Sequence, residues 1–343
     1  MQGEWNDKVF GVKEGEFESL ALEIFSFQAA YNPVYKDYIA ALGVEAALVK
    51  RLEQVPFLPI RFFKTHAVMT TGFEPQAVFE SSGTGSTVNS RHHVKDLSFY
   101  EDSFLKGFEL FYGPVDDYII FALLPSYLER QGSSLVCMVD RLIKESGDED
   151  SRFYLHELDK LAERISHREQ LNNETGNKRK RNLLIGVTYA LLDLAEKYKM
   201  SLPHTIIMET GGMKGRREEM TRPEVHEILK GSFSAGQIHS EYGMTELLSQ
   251  AYSKGEGIFH SPPWMKILIR DEEDPLQVSS HRHLPGNQPL GGAINIIDLA
   301  NVYSCSFIAT DDVGRLYRDG SFEMLGRMDG SDLRGCSLMV MGA

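Results

Sequence analysis

Small hydroxyl residues and glycines crowd together just after an apolar run that ends at Phe79. The members of this loop are Ser82, Gly83, Thr84, Gly85 and Ser86. Glycine lets successive backbone N–H groups turn toward one point, and the hydroxyls add further donors, so the loop suits a polyphosphate. It is not a Walker loop, because no Gly-Lys-Ser/Thr follows, and it lacks the third glycine of a dinucleotide fingerprint. An ordinary strand-to-helix turn is the alternative interpretation.

Three later loops carry groups that a nucleotide could use. In residues 209–212, Gly211 and Gly212 would let a flat ligand approach the backbone closely. In residues 240–246, Tyr242 could stack on a base, while Thr245 and Glu246 supply a hydroxyl and a carboxylate for Mg²⁺ and a phosphate. Residues 310–315 carry a carboxylate that could accept hydrogen bonds from a ribose diol. Each loop alone also fits a turn with capping residues, but together they predict a nucleotide site.

The elements that must position these loops alternate between helix and strand. The pattern predicts helices over 96–111, 133–143, 153–165 and 189–198, a helix that ends near 229, and strands over 118–124, 183–187 and 205–208. Thr221 and Glu224 form a capping box for the helix that ends near 229. This alternation predicts an α/β fold, a mainly parallel sheet with helices on its faces. Ligands of such sheets lie outside the carboxyl ends of the strands.

Both ends of the chain depart from that alternation. The first seventy residues read as helices, with extended chain at the prolines of 56–59. Strands over 265–269 and 293–297 and a hairpin over 313–325 predict a small C-terminal β subdomain. Ser261-Pro262-Pro263 breaks the chain between the two regions. We therefore expect an α/β core over 1–260 and a β-rich subdomain over 261–343 that completes the nucleotide site.

Composition excludes several classes of protein. Lys and Arg number 36 against 49 Asp and Glu, and a net charge of −13 argues against nucleic acid or an anionic membrane as the main partner. No apolar run approaches a membrane span, and the N-terminus lacks a signal pattern, so we expect a cytoplasmic protein. Three cysteines without a C-x-x-C pair indicate neither a disulfide framework nor a zinc site.

Four motifs carry a family resemblance. Residues 81–86, 242–246, 310–312 and 326–329 resemble, in order and separation, the signature motifs of adenylate-forming enzymes, the acyl-CoA synthetase and firefly-luciferase superfamily. Within it the whole chain resembles the short acyl-protein synthetase branch (LuxE-type). The resemblance implies the fold of the large N-terminal domain of these enzymes, without their mobile C-terminal domain.

The resemblance also implies a reaction. A carboxylic acid, expected to be a fatty acid, attacks the α-phosphate of ATP, gives an acyl-adenylate and pyrophosphate, and then passes its acyl group to a thiol. ATP and Mg²⁺ are the implied cofactors. Motif matching implies that the phosphates are bound by Ser82, Gly83, Thr84, Gly85 and Ser86, and that adenine is contacted by Gly211, Gly212 and Tyr242. It implies that Thr245 contacts the α-phosphate and that Glu246 binds Mg²⁺. Asp312 would bind the ribose, and Arg327 would lie near the domain hinge.

Two departures from the family pattern matter for catalysis. The usual loop reads Ser-Gly-Thr-Thr-Gly, whereas Gly85-Ser86 stands here in place of Thr-Gly. The family's catalytic lysine, on the mobile domain, has no counterpart in this sequence, so another cation must serve. The candidates are Arg91, His92, His93 and Lys214, for each of which a solvated turn residue is the alternative.

The last residues suggest an acyl acceptor. Cys336 stands two residues from Arg334, whose guanidinium favours the nucleophilic thiolate. In acyl-protein synthetases a cysteine close to the C-terminus accepts the acyl group, and Cys336 occupies the matching place. The alternative is a small buried residue on a terminal strand; Cys137 and Cys305 lie in apolar runs and read as structural.

Three hypotheses follow for the acyl group. It could load Cys336 before delivery to a partner such as an acyl reductase or an acyl carrier protein. It could pass directly to coenzyme A or a carrier protein. Alternatively, the chain could be a nucleotide-binding subunit without catalysis.

Overall fold

The order of helices and strands comes from a computed structural model, which describes residues 2–81, 88–125, 132–175, 180–211, 220–271, 274–280 and 288–328. The helices are α1 (Gln2–Phe10), α2 (Phe17–Tyr31), α3 (Pro33–Ala41), α4 (Phe62–Thr65), α5 (Leu97–Tyr112), α6 (Ser134–Ser146), α7 (Leu158–Thr175), α8 (Thr188–Lys197) and α9 (Arg222–Phe233). The strands are β1 (Leu58–Pro59), β2 (Ala77–Glu80), β3 (Arg91–Val94), β4 (Tyr118–Leu123), β5 (Arg152–Phe153), β6 (Arg181–Val187), β7 (Thr205–Thr210), β8 (His239–Tyr242), β9 (Ala251–Ser253), β10 (Ile258–His260), β11 (Met265–Arg270), β12 (Val278–Ser279), β13 (Leu290–Asp298), β14 (Phe307–Leu316) and β15 (Phe322–Arg327).

The chain divides into two compact units. One unit takes residues 1–76, 92–95 and 260–343, and the other takes 77–91 and 96–259. The grouping differs from a continuous core over 1–260, because the N-terminal helices cluster with the C-terminal strands. The reason lies in contacts such as those of Gln28 on α2, whose Nε2 donates to Asn301 O at 2.8 Å. We call the two units the helical-strand unit and the parallel-sheet unit, in that order.

The parallel-sheet unit carries the predicted α/β sheet. Its strand order is β9-β8-β7-β6-β4-β5, in which β8, β7, β6, β4 and β5 run parallel and β9 is antiparallel to β8. β4 is buried throughout and β6 from its second residue onward. Uninterrupted apolar strands are typical of parallel sheets covered on both faces. The predicted mainly parallel sheet is confirmed.

One predicted helix begins later than its pattern suggested. The prediction of a helix over 153–165 was wrong at its start, since α7 begins at Leu158 and continues to Thr175. Phe153 belongs instead to β5, where it pairs in parallel with Ala122 of β4. Pairing of the two-residue β5 with β4 overrides the helical periodicity of this segment, because tertiary contacts decide such short strands.

The helical-strand unit contains the predicted β-rich region. Its strands follow the order β12-β11-β13-β14-β15, all antiparallel, and β1 pairs in parallel with β14. The predicted hairpin is confirmed: β14 and β15 are joined by a turn in which Tyr317 N donates to Ser321 O at 2.8 Å. Gly320 in this turn has a φ of +84°, a conformation that favours glycine.

The N-terminal helices are anchored by buried amides. Asn32 caps α3, because its Oδ1 accepts from Tyr35 N at 3.1 Å, and its Nδ2 donates to Ser304 O at 2.9 Å. Asn32 is fully buried, so both hydrogen bonds are shielded from water. Among the described residues, none of the helices is both long and apolar enough to span a bilayer.

Candidate functional site

The carboxyl ends of β7 and β8 lie side by side in the parallel-sheet unit. The two strands pair in register, with Glu209 opposite Ser240 and Thr210 opposite Glu241. Gly211 follows β7 with a φ of +72°, in the left-handed region that favours glycine. Tyr242 is the last residue of β8. Two residues predicted to contact adenine therefore occupy neighbouring strand ends, where parallel sheets bind ligands.

All three of the later predicted loops begin within strands. Glu209 and Thr210 lie within β7, Ser240 to Tyr242 within β8 and Thr310 to Asp312 within β14, so the prediction that these residues form loops was wrong. All three segments carry polar side chains, which their sequence pattern assigned to loops. In the structure Ser240 and Glu241 are buried near the end of β8, where they pair with Glu209 and Thr210, and Thr310 and Asp312 are buried in the middle of β14.

Thr245 and Glu246 occupy the turn after β8. Leu247 N donates to Met244 O at 3.1 Å to close this turn, and Glu246 is buried while Thr245 is partly exposed. Carboxylate oxygens are ligands that Mg²⁺ prefers, and Mg²⁺ is commonly held by one or two carboxylates together with substrate phosphates. Within the described ranges, no group of three or more His, Cys, Asp or Glu side chains is arranged for a metal ion.

A buried polar cluster surrounds Glu209 at the end of β7. Arg222 Nε donates to Glu209 Oε1 at 3.2 Å, and His226 Nε2 lies 3.8 Å from the same oxygen. Thr188 Oγ1 lies 3.2 Å from Glu209 Oε2. Burial raises the pKa of Glu209, but His226, the charge of Arg222 and a hydrogen bond from Ser240 outweigh it and hold that pKa below its ordinary value. Glu209 is therefore an ionised carboxylate at neutral pH.

Glu241 lies on the opposite face of the sheet, and its pKa is raised, whereas that of Glu209 is lowered. Its carboxyl accepts a hydrogen bond from Thr210 Oγ1, and a Cβ on Gly243 would overlap its Oε1. Burial raises the pKa of Glu241 to about 7, the nearby charge of Glu209 adds to this, and the Thr210 hydrogen bond opposes it. Tyr252, its cross-strand neighbour, has a buried hydroxyl without a hydrogen-bond partner among the described residues.

Asp312 and Arg327 meet in the helical-strand unit. They are cross-strand partners on β14 and β15, and Arg327 Nε donates to Asp312 Oδ1 at 3.2 Å. The Asp312 side chain is 7% exposed, whereas that of Arg327 is 70% exposed. The residues predicted to bind ribose and to mark the hinge are thus one ion pair, half buried and half solvated.

The buried guanidinium of Arg270 is hydrogen-bonded to β14, the strand that carries Asp312. Arg270 Nη1 donates to Asn295 Oδ1 at 2.7 Å, and its Nη2 donates to Thr310 O at 2.9 Å. Burial lowers the pKa of Arg270, and the charge of Asp311 opposes that shift. Thr310 Oγ1 in turn donates to Ile294 O at 2.7 Å, which fixes the register of β13 and β14 beside Asp312.

The predicted phosphate loop lies outside the described residues, but its two ends are described. Ser81 N donates to Ser90 O at 3.0 Å, and Ser90 N donates to Ser81 Oγ at 2.9 Å. Ser82, Gly83, Thr84, Gly85 and Ser86 thus begin directly after a point where the chain is hydrogen-bonded to itself. Gly212, Lys214 and Cys336 also lie outside the described residues.

The candidate cations near this loop have different surroundings. Arg91 is exposed at the start of β3. His92 is 1% exposed, and its ring packs edge-on against Phe63 with centroids 5.8 Å apart. His92 thus has the environment of a core aromatic residue.

The two described cysteines are poor nucleophiles. Burial raises the pKa of Cys137 to about 11, and the charges of Glu101 and Asp140 add to it. Cys305 is fully buried, its Sγ contacts Phe307 O at 3.4 Å, and burial raises its pKa to about 12. Thiolate is the attacking form, so both residues fit the structural role predicted for them.

Several residues around these strand ends were not singled out from the sequence. Thr188, Arg222, His226, Phe259 and Arg270 reach the sites only through folding. The one usable signal is that Arg222 and His226 stand four residues apart, and therefore on one face, of the helix that Thr221 and Glu224 begin. That capping box is confirmed, since Thr221 N donates to Glu224 Oε2 at 2.8 Å.

No protein-family model and no curated protein matches the chain. Among solved structures, it is similar to 2-hydroxyisobutyryl-CoA ligase (HCL) in the postadenylation state in complex with R3-HIB-AMP, with a TM-score of 0.63, 11% identity, and coverage of 91% of this chain and 67% of that chain. ATP-bound MatB from Rhodopseudomonas palustris gives a TM-score of 0.51 at 16% identity, covering 86% of this chain and 58% of that one. An ATP-bound RpMatB-BxBclM chimera gives 0.52 at 15% identity, over 86% of this chain and 57% of that chain.

These likenesses establish the fold. The chain has the fold of the large N-terminal domain of adenylate-forming enzymes, as its motifs implied. It spans less than three-fifths of the MatB chain.

Proposed function

We propose that this chain is an ATP-dependent ligase that activates a carboxylic acid as its acyl-adenylate. One observation carries the proposal: Gly211 and Tyr242 end neighbouring parallel strands in a fold shared with a CoA ligase bound to R3-HIB-AMP. The motif order supports the same assignment, because the four matching segments follow one another along a chain of this fold.

The proposed first step is a displacement at phosphorus. A carboxylate oxygen of the acid forms a bond to the α-phosphorus of ATP, and the bond to pyrophosphate breaks. Such a step asks mainly for positioning and for stabilisation of charge on the phosphate oxygens. In this proposal Gly211 and Tyr242 hold adenine, Asp312 holds the ribose and Thr245 contacts the α-phosphate. Glu246 would bind Mg²⁺, which when bound neutralises charge on the phosphates.

The proposed second step transfers the acyl group to a thiol. The thiolate attacks the acyl carbonyl, AMP leaves and a thioester forms. The raised pKa values of Cys137 and Cys305 make both poor acceptors. The resemblance to acyl-protein synthetases of the LuxE type, together with Arg334 two residues away in sequence, makes Cys336 the proposed self-acylation site. A fatty acid is the proposed substrate, and an acyl reductase or an acyl carrier protein is the proposed partner.

Intact-protein mass spectrometry tests both steps. The wild-type chain is incubated with ATP, Mg²⁺ and fatty acids of several lengths, before and after neutral hydroxylamine, and pyrophosphate release is followed in parallel. We expect pyrophosphate release and a hydroxylamine-labile acyl adduct that Cys336→Ala abolishes. The Cys137→Ala variant is the matched control and should keep the adduct.

Other results would redirect the proposal. Pyrophosphate release without an adduct would mean that the acyl group goes directly to coenzyme A or a carrier protein. The absence of both signals across the acid panel would overturn the ligase and leave a nucleotide-binding subunit.

A further inference from the structure

Glu209 is connected by short chains of contacts to both residues that are proposed to bind adenine, Gly211 and Tyr242. It is the penultimate residue of β7 and is buried, and it stands two residues before Gly211. Its two carboxylate oxygens have different partners: Oε1 accepts from Arg222, and Oε2 lies near the Thr188 hydroxyl. Each oxygen therefore begins a separate chain of side-chain contacts within the parallel-sheet unit, and we call each chain a route.

The first route leads to Gly211. Thr188 Oγ1 lies 2.6 Å from Gly211 O and 3.2 Å from Glu209 Oε2. Both partners are acceptors, so the one hydroxyl proton serves both, with the shorter distance to the Gly211 carbonyl. Because Gly211 holds a left-handed φ of +72°, this hydrogen bond fixes the peptide at the point where the chain turns away from β7.

The second route leads to Tyr242. The Arg222 guanidinium, oriented by Glu209, lies over the ring of Phe259, with 5.0 Å between Cζ and the centroid. Phe259 in turn packs on the Tyr242 ring, with centroids 5.9 Å apart and planes inclined by 63°. A planar guanidinium stacks on an aromatic face in a way that an ammonium does not. The Arg222–Glu209 ion pair is thus connected to the Tyr242 ring through one intervening aromatic residue.

Stability alone is a weak reason for this arrangement. Buried ion pairs contribute little net stability, because desolvation offsets their attraction, and apolar residues of similar volume often serve as well. Around Glu209, three further polar groups, Thr188, His226 and Ser240, are buried with it. A polar cluster of this size at the end of a strand is better explained by the geometry that it imposes on its neighbours.

We infer that Glu209 is a positioning residue for the nucleobase, which orients Gly211 through Thr188 and Tyr242 through Arg222 and Phe259. This inference rests on the proposed function. It assigns to Glu209, Thr188, Arg222 and Phe259 an effect on nucleotide affinity and base selection, and not on the chemical step.

The test compares variants in each route. Thr188→Val removes the hydroxyl at constant shape, and Thr188→Ser restores it; Arg222→Lys keeps the charge but not the guanidinium plane; Phe259→Leu removes the linking ring. Binding of ATP and of GTP is measured by titration calorimetry, and kcat and KM by pyrophosphate release with a fatty acid that the wild type uses. Glu227→Gln, at an exposed position of α9, is the matched control.

We expect Thr188→Val, Arg222→Lys and Phe259→Leu to raise Kd and KM for ATP about tenfold and to reduce the preference for ATP over GTP. kcat should stay within about twofold of the wild-type value. Thr188→Ser should bind ATP like the wild type, and Glu227→Gln should leave Kd and kcat unchanged.

A structural role alone would lower the unfolding midpoint without a change in base preference. Unchanged Kd and base preference in folded variants of an active wild type would overturn the inference and leave the proposed function intact. A wild type that binds no ATP would overturn both.

Discussion

Two glutamates on neighbouring strands have opposite ionisation behaviour at the residue scale. Glu209 has a lowered pKa because Arg222 and hydrogen-bonding neighbours outweigh burial, whereas burial raises the pKa of Glu241 to about 7. The two carboxyls lie one residue apart in register, on opposite faces of the sheet. Their different partners, and not their residue type, therefore set their charge at neutral pH.

Glu241 gives a prediction about pH and stability. Its pKa is about 7 in the folded protein against an ordinary value of 4.5, so folding takes up a proton between these pH values. Its contribution to stability is complete below pH 4.5 and is lost as the pH rises through 7. Glu241→Gln keeps an acceptor for Thr210 and removes the charge, so at pH 8 the variant should be more stable than the wild type by on the order of 3 kcal/mol.

Urea unfolding at pH 5, 6, 7 and 8 measures this difference. The advantage of Glu241→Gln should shrink steadily toward pH 5. Glu227→Gln, whose residue is exposed on α9, should give curves parallel to those of the wild type at every pH. A constant difference between Glu241→Gln and wild type across the range would contradict the assignment of the raised pKa.

At the scale of elements, the N-terminal caps of α5 and α3 differ in their burial and in the number of groups that they hydrogen-bond. Asp96 caps α5, with Oδ1 accepting from Ser98 N at 2.9 Å, in an environment open to water. Asn32 caps α3 and also satisfies Ser304 O, with the whole side chain buried. The first cap stabilises one helix end, and the second also joins a helix to the segment before β14.

We predict that Asp96→Ala lowers the free energy of unfolding by about 1 kcal/mol, the usual cost of a lost cap. Asn32→Ala should lower it by about 2–4 kcal/mol, because the lost cap is joined by a buried carbonyl without a donor. Urea unfolding at pH 7 compares the two variants with the wild type. Equal losses would show that the Ser304 contact adds nothing to stability.

At the scale of the whole molecule, the proposed nucleotide binding is linked to the stability of the fold. A ligand that binds only the native state raises stability by an amount set by its concentration relative to Kd. Nucleotide binding should therefore be visible in the stability of the whole chain, whether or not catalysis follows.

We predict that ATP with Mg²⁺ at 100 times its Kd stabilises the wild type by about 2.7 kcal/mol. Asp312→Ala should lose most of this gain, because the proposed ribose contact is removed. Asp319→Ala is the matched control in the same hairpin, where Asp319 accepts from Ser321 N at 3.0 Å, and it should keep the gain. The gain is read from thermal unfolding with and without nucleotide. An equal gain in Asp312→Ala and wild type would remove Asp312 from the proposed site.

The sequence by itself determined the mainly parallel sheet, the C-terminal hairpin and the likeness of the fold to the large N-terminal domain of adenylate-forming enzymes. Local periodicity fixes long buried strands such as β4 and β6, and turn residues fix the Tyr317–Ser321 turn, because both depend on neighbours in sequence. Gly211 follows β7, as predicted, whereas Ser240 to Tyr242, predicted as part of a loop, lie within β8. Local pattern was insufficient for Phe153, which joins a strand through β4, a partner about thirty residues away in sequence.

Only the tertiary structure decided the pKa values of the candidate site's carboxyl groups and the contacts between its side chains. The pKa values of Glu209 and Glu241 depend on burial and on partners from other strands and helices, which no spacing rule brings together. The link from Glu209 through Arg222 and Phe259 to Tyr242 likewise joins residues up to fifty positions apart. Residue types can be read along the chain, but charge state and orientation arise from contacts that exist only once the chain has folded.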